Sequence, residues 1–268
     1  MKAAISVNHA VHQKEHGEAM RAGLARHGID SVFTHGDTPI DAVDFHVTWS
    51  IKRPKIFRWR ERTGRHVLVM ERGYLPDRMV YSSIGWDGLN NRAVFPAAPD
   101  GGRWERHFAD HMKPWRRTGG KTALLCGQVP GDSALYGLDL NRWAQSTADR
   151  LATDGWDVIF RPHPLTLRQG TNWTPRGCLL AAGGSLQDAL DHADLCVTYN
   201  SNSGVEAVLH GTPTVTLDEG AMAWGVSAHD FHPVTPDRTE WAHRLAWCQW
   251  TLEEIERGDA WEALRSCI

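Results

Sequence analysis

The sequence lacks the residue patterns that mark disulfide-stabilised secreted domains and the common metal sites. Only five of its 268 residues are cysteine, an odd and widely spaced set with no Cys-x-x-Cys pair. Its 15 histidines form no His-Glu-x-x-His pattern, and no loop carries an Asp-x-Asp motif suited to a metal. We therefore expect reduced thiols and no bound metal ion.

Long apolar runs are absent as well. No stretch approaches the roughly 18 apolar residues of a membrane-spanning helix. The segment Met1–Val7 lacks the apolar length of a signal peptide and is typical of a short strand. A hydrophobic fraction of 41% and a charged fraction of 23% are ordinary for a globular protein. These features predict a cytoplasmic protein without membrane insertion.

What the sequence does contain is a regular alternation of strand-like and helix-like segments. The first series has strands near 2–7, 31–34, 44–49 and 66–70 and helices near 16–27 and 53–62. After a linker-like stretch at 113–120, the second series has strands near 122–126, 156–160, 178–181, 195–199 and 213–217 and helices near 140–153, 185–191, 203–210 and 239–257. Such alternation is typical of parallel sheets covered by helices.

The predicted fold class is therefore α/β, with two Rossmann-like domains facing across a cleft. We place the first domain at residues 1–115 and the second, with the carboxyl-terminal helix, at residues 116–268. Ligands in such folds bind beyond the carboxyl ends of the strands. The functional residues are therefore expected in the loops that follow strands.

The first such loop of the second domain is rich in small and polar residues. Its candidates are Gly127, Gln128, Asp132 and Ser133. The glycines allow backbone donors to approach a phosphate closely, and the polar side chains can reach a sugar or a base. A simple turn is the alternative interpretation.

The second loop is Arg161-Pro162-His163-Pro164. Two prolines stiffen the backbone around His163 and so present its imidazole from a fixed turn. The alternative is a loop histidine that bonds only to a carbonyl.

The third loop supplies Ser201, Asn202, Ser203, Gly204 and Glu206 at the start of a predicted helix. Backbone N–H groups at a helix amino end, with hydroxyls beside them, form an anion site. Glu206 lies within the first turn, where its carboxylate can accept hydrogen bonds from a ribose. The same spacing also fits an ordinary helix cap.

Together these motifs resemble those of capsule-polysaccharide-type and phage-encoded glycosyltransferases of the GT-B fold. Those proteins carry a His-Pro turn and a Ser-x-x-Gly-x-Glu-Ala-x-x-x-Gly-x-Pro segment, which residues 201–213 match. The resemblance implies a nucleotide-sugar cosubstrate, a UDP-sugar in our expectation, and no required cofactor. It also implies that Arg161 and His163 contact the donor phosphates, that Ser201 to Ser203 contact the distal phosphate, and that Glu206 contacts the ribose.

An inverting transferase also needs a base for the acceptor hydroxyl, whereas a retaining one does not. Glu71 is our first candidate because it ends the apolar strand 66–70. Asp87, beside Trp86, is the second, and His9, with His12, is the third. Each has a structural alternative: Glu71 can pair with a neighbouring arginine, and Asp87 can shape a turn.

The acceptor is predicted from charge. Residues 1–118 contain 19 Lys and Arg against 13 Asp and Glu, whereas the remainder is acidic. Seven of these cations lie in segment 52–65, with Phe57 and Trp59 among them. Cations interleaved with aromatic rings suit nucleic acid, although a solvated helix face fits equally.

Two acceptors and one non-enzymatic role follow. The preferred acceptor is DNA with hydroxymethylated bases such as hydroxymethylcytosine, because 71–74 and 84–90 resemble phage proteins of this class and a bacteriophage can modify its own DNA. A capsule or cell-surface glycan is the main alternative. A nucleotide-sugar or nucleic-acid binding module without activity is the third possibility.

Overall fold

The computed structural model describes residues 1–8, 10–116, 119–170, 173–181 and 183–268. Within these ranges the strands are β1 (Lys2–Val7), β2 (Asp30–His35), β3 (Phe45–Trp49), β4 (His66–Arg72), β5 (Tyr81–Trp86), β6 (Thr122–Cys126), β7 (Asp157–Arg161), β8 (Leu179–Leu180), β9 (Leu195–Thr198), β10 (Thr214–Thr216) and β11 (Gln249–Thr251). The α-helices are α1 (Val11–Arg26), α2 (Pro54–Thr63), α3 (Gly102–His107), α4 (Leu140–Thr153), α5 (Pro164–Arg168), α6 (Leu186–Asp191), α7 (Ser203–His210), α8 (Thr239–Ala246), α9 (Leu252–Arg257) and α10 (Asp259–Leu264).

The chain divides into two compact units. The first consists of Met1–Glu105 together with Ala242–Ile268, and the second of Arg106–Trp241. Each unit contains its own sheet, and the parallel strands in both sheets confirm the predicted α/β class.

The first unit has a six-stranded sheet in the order β11-β5-β4-β3-β1-β2. Strands β1 to β4 are parallel, whereas β5 runs antiparallel to β4 and β11 antiparallel to β5. Residues 67–70 of β4 are buried without interruption, as expected for a parallel strand that is covered on both faces. Because β1 has β2 on one side and β3 on the other, the chain order reverses between β1 and β3.

The carboxyl-terminal segment packs in the first unit, which differs from the prediction that residues 116–268 form one domain. Trp261 stacks on Phe45 with ring centroids 5.1 Å apart, and the Trp86 indole N–H donates to the Leu264 carbonyl at 3.0 Å. Phe45 and Trp86 of the first sheet are large apolar rings that are stable only when buried, and the carboxyl-terminal segment buries them. Helical periodicity identified an amphipathic segment but not the sheet that it covers.

The helix predicted over 239–257 is also interrupted. Strand β11 separates α8 from α9 and adds to the edge of the first sheet. Thr251 then caps α9 through a capping box with Glu254. For residues 249–251, pairing with β5 at the edge of the first sheet outweighs their helix propensity.

The second unit has a five-stranded, wholly parallel sheet in the order β10-β9-β6-β7-β8. Strand β6 lies between β7, which follows it in the chain, and β9, so the order reverses between β6 and β9. Outside the carboxyl ends of these two strands a crevice is expected. Within the described ranges, no helix is both long and apolar enough to cross a membrane.

Close packing of α1 on α9 gives a direct test of this division. A Cβ atom added to Gly23 would lie 2.1 Å from the Ile255 carbonyl oxygen, so the helices have to separate. We expect Gly23→Ala to lower the free energy of unfolding by about 1–3 kcal/mol, the usual cost of overpacking. Urea denaturation measures the change. Gly225→Ala, where the added Cβ meets nothing within 4 Å, is the matched control; equal stability of both variants would contradict this packing.

Candidate nucleotide-sugar site

Three predicted loops lie at the carboxyl ends of adjacent strands in the second unit. The Gly127 N–H, after β6, donates to the Arg161 carbonyl at 2.8 Å, at the end of β7. A Cβ on Gly127 would lie only 3.1 Å from the Phe160 ring, which explains the glycine by close packing. The first and second loops are thus joined at their bases.

Asn200 joins the first loop to the third. Its N–H donates to Gln128 Oε1 at 3.1 Å, and its Oδ1 accepts from Gln128 Nε2 at 2.9 Å. Its Nδ2 group donates to the Ala134 carbonyl and to Asp218 Oδ2, both at 2.7 Å. Asn200 is only 4% exposed, so these bonds satisfy a buried amide and fix the loops after β6, β9 and β10.

Sequence reasoning missed Asn200 and Asp218. The available signal was an asparagine two residues after the apolar run 195–198, just ahead of the hydroxyl-rich residues 201–203. Gln128, by contrast, was predicted to reach a ligand, yet it is 8% exposed and its amide holds Asn200. Gln128 therefore holds the first and third loops together rather than reaching a ligand.

The start of α7 carries the predicted Ser, Asn, Ser and Gly residues. The Ser203 N–H donates to Ser201 Oγ at 3.2 Å, and the Gly204 N–H donates to the Ser201 carbonyl at 3.0 Å. Because these amides bond within the turn and Ser203 Oγ is buried, attraction for an anion here comes mainly from the helix dipole and the Ser201 hydroxyl. Gly204 packs toward the sheet: an added Cβ would lie 3.2 Å from the Thr198 methyl group.

Glu206 lies partly exposed on the first turn of α7. Its carboxylate accepts from Asn202 Nδ2 at 3.3 Å and from Gln187 Nε2 at 3.4 Å. Both bonds are long, so the carboxylate retains capacity to accept stronger hydrogen bonds. A ribose diol is a suitable donor pair.

The side chains of the Arg-Pro-His-Pro turn have distinct surroundings. Arg161 donates to the Gly183 and Gly184 carbonyls at 3.0 and 2.7 Å, which uses two of its five N–H groups. His163 Nδ1 accepts from the Leu165 N–H at 3.1 Å, at the start of α5. This bond assigns the imidazole proton to Nε2, which can donate to a phosphate oxygen.

Asp132 and Ser133 lie further along the first loop, both partly exposed. Asp132 Oδ1 accepts from the Ala134 N–H at 2.9 Å and caps a short 3-10 turn over Ser133–Leu135. Asp132 therefore shapes the loop locally, as an N-cap does.

The base candidates are separated in the first unit. Glu71 is at the carboxyl end of β4, partly exposed, and its Oε1 accepts from the Arg72 N–H at 3.0 Å. Asp87 is at the opposite edge, since β5 is antiparallel and its end meets Val67 at the start of β4. His9 lies outside the described residues.

Asp87 acts as a structural clamp, which corrects its prediction as a base. It accepts from Arg60 Nε at 2.7 Å, from His66 Nδ1 at 2.6 Å and from the Val67 N–H at 2.8 Å. Burial alone would raise the pKa of this carboxyl, but the bonds from Arg60, His66 and Val67 outweigh it and hold the pKa below its ordinary value. Its φ of 64° also fits the turn after β5.

Part of the basic segment 52–65 is committed to internal contacts. Trp59 is 1% exposed and Arg53 is 8% exposed. Arg60 binds Asp87, Arg62 binds Asp41 at 2.5 Å, and Arg65 donates to the Asp41 and Val43 carbonyls. The indole and part of the cationic groups proposed to receive DNA therefore belong to the folded unit, whereas Lys52, Lys55 and Arg58 are exposed. Among the described residues, no three His, Cys, Asp or Glu side chains are grouped to hold a metal ion.

Comparison with known proteins identifies the fold. No family model matches the sequence, and no curated protein matches it. Among solved structures, the chain is similar to Thermosulfurimonas dismutans KpsC, beta Kdo 2,4 transferase, with a TM-score of 0.63 and 14% identity over 92% of each chain. It is also similar to the beta Kdo 2,7 transferase of the same organism's KpsC, with a TM-score of 0.60 and 13% identity over 97% of this chain and 99% of that one. The likeness confirms the fold with two Rossmann-like domains.

The Asp87 clamp predicts a pH-dependent stability. A depressed folded-state pKa means that ionised Asp87 stabilises the unit above its ordinary pKa of 3.8 and loses this effect as the pH falls through the lower folded value. We expect Asp87→Asn, which tolerates the same φ, to cost about 2 kcal/mol at pH 7. Urea denaturation at several pH values checks this. The difference in free energy of unfolding between Asp87→Asn and the native protein should disappear below about pH 4. A difference that is constant across pH would contradict the ionic clamp.

Proposed function

We propose that this protein is a glycosyltransferase that moves a sugar from a nucleotide-activated donor to a hydroxyl group of a saccharide. The observation that carries the proposal is the meeting of the three loops after β6, β7 and β9 at the reversal of strand order in the second unit. That position is where open α/β sheets bind nucleotides.

The chemistry of the loops supports a diphosphate-linked sugar. The amino end of α7 attracts negative charge, and the Nε2 of His163 can donate to a phosphate oxygen. Arg161 keeps three N–H groups beyond its two carbonyl bonds. In the proposed site these groups stabilise the departing nucleotide phosphate as the bond to the anomeric carbon breaks. We propose that no metal ion is required, and that transfer persists in the presence of EDTA.

A saccharide acceptor is favoured over DNA by the first unit. Trp59 and Arg53 are buried and Arg60 and Arg62 are paired with carboxylates, which weakens the support for a nucleic-acid surface at segment 52–65. The similar solved structures are named as Kdo transferases, so Kdo is a reasonable first donor sugar to test. DNA glycosylation remains one outcome of the assay.

The donor site predicts a specific loss in Glu206→Gln. Without its charge, residue 206 accepts weaker hydrogen bonds from the ribose, so we expect nucleotide-sugar Kd to rise about tenfold, equivalent to ~1.4 kcal/mol. Isothermal titration with the tightest-binding member of a UDP-, dTDP-, GDP- and CMP-sugar panel measures it.

The matched control for this change is Glu240→Gln, an exposed acid in the first turn of α8 in the same unit. Its donor Kd should equal that of the native protein. If both variants bind the donor normally, the assigned ribose contact is wrong.

Transfer itself tests the proposed enzyme. Mass spectrometry should detect sugar addition to a saccharide acceptor from one member of the donor panel.

We also propose Glu71 as the base of an inverting transfer. We expect Glu71→Gln to lower kcat about 100-fold with donor Kd unchanged, because a positioned base contributes this much. The exposed Glu61→Gln on α2 is the control.

Other outcomes of the same assay point elsewhere. Sugar addition to hydroxymethylated DNA but to no saccharide would favour the DNA acceptor. Donor binding without transfer or donor hydrolysis would favour a binding module. Full activity in Glu71→Gln would remove Glu71 as the base.

A further inference from the structure

The carboxyl edge of the first sheet has its own cluster of functional side chains, centred on Trp49. This residue ends β3, next to the reversal of strand order between β1 and β3. The loop outside such a reversal is a preferred ligand position in α/β sheets. None of the roles proposed above uses Trp49.

Three side chains converge on the Trp49 indole. His12 and His16, from the start of α1, meet it edge-on with ring centroids 4.9 and 5.0 Å away. The Arg72 guanidinium, from the end of β4, lies 5.4 Å from the ring centroid, within the range of a cation–π contact. The indole thus holds an arginine and two imidazoles in one arrangement.

Three of the four side chains of the cluster are accessible to solvent. Trp49, His12 and Arg72 are each partly exposed, whereas His16 is 7% exposed. His16 Nδ1 lies 2.6 Å from the His12 carbonyl oxygen, to which it donates, and this leaves Nε2 as an acceptor. Successive side chains of a strand point to opposite faces, so Arg72 and Glu71 leave β4 on different sides.

The charge of the cluster is concentrated on Arg72. Burial lowers the pKa of both His12 and His16, and the positive charge of Arg72 lowers each further; the hydrogen bond to the His12 carbonyl opposes this for His16, and Glu15 on α1 opposes it for both. At neutral pH the imidazoles are therefore uncharged hydrogen-bonding groups. The Arg72 guanidinium supplies the positive charge of the cluster.

We propose that this cluster is an acceptor subsite that binds the carboxylate of an acidic saccharide through Arg72. The guanidinium matches a carboxylate bidentately. His12 supplies a neutral hydrogen-bonding group for a sugar hydroxyl, and Trp49 supplies an apolar edge for the ring. The inference rests on the proposed function, since it names the class of acceptor that the transferase uses.

The test measures acceptor binding without turnover. Native protein is titrated by NMR with the methyl glycosides of glucuronic acid, N-acetylneuraminic acid and Kdo, and with neutral methyl glucoside. We expect at least one acidic glycoside to bind at least about tenfold more tightly than the neutral one, and Arg72→Gln to abolish this preference. Arg72→Lys should retain part of it, because the charge persists while the bidentate fork is lost.

Arg58→Gln, an exposed cation on α2, is the matched control and should bind like the native protein. Thermal unfolding of each variant separates lost binding from lost folding, and Arg72→Lys provides a second reading if Arg72→Gln is unstable. Absence of any acidic preference in the native protein, or a preference unchanged in Arg72→Gln and Arg72→Lys, would overturn the subsite.

The two proposals fail separately in this design. Nucleotide-sugar binding that depends on Glu206, without Arg72-dependent acidic binding, would keep the donor site and remove the acceptor subsite. Arg72-dependent acidic binding, without binding of any nucleotide sugar, would keep the subsite and remove the transferase proposal.

Discussion

The buried amide of Asn200 is the interaction on which the second unit's site depends. Its backbone N–H and side chain both bond Gln128, and the side chain also reaches the Ala134 carbonyl and Asp218, so one residue joins the loops after β6, β9 and β10. A buried amide with its partners satisfied is rigid because each broken bond leaves a desolvated polar group. The more exposed side chains at 201–206 follow directly on Asn200, and the Gly127 N–H joins the first loop to Arg161.

The two sheets place chemistry at equivalent positions by different means. In the second unit, all strands are parallel and the groups proposed to bind the donor come from loops and from the start of α7. In the first, an indole at the end of β3 gathers side chains from α1 and β4. The opposite edge of the first sheet is closed by the Asp87 clamp, which ties α2 and β5 to the start of β4. The proposed acceptor subsite and the Asp87 clamp thus lie at opposite edges of one sheet.

Sequence reasoning recovered the α/β class and the strand ends that carry polar residues, because apolar runs and helical periodicity are local signals. It could not recover the return of residues 242–268 to the first unit, since a helix period does not say which sheet its apolar face covers. The charges of segment 52–65 were visible, but their partners Asp41 and Asp87 are distant in sequence. Antiparallel pairing of β5 likewise moved Asp87 to the edge away from Glu71.

Hydrogen exchange followed by mass spectrometry, with and without a saturating nucleotide sugar, tests the central claim most directly. The account predicts slower exchange in peptides that cover 127–135, 161–167 and 199–206, with no change at 66–67 or 86–88, around the Asp87 clamp. Protection confined to other segments, or none at any donor concentration, would contradict a nucleotide-sugar site at the carboxyl edge of the second sheet.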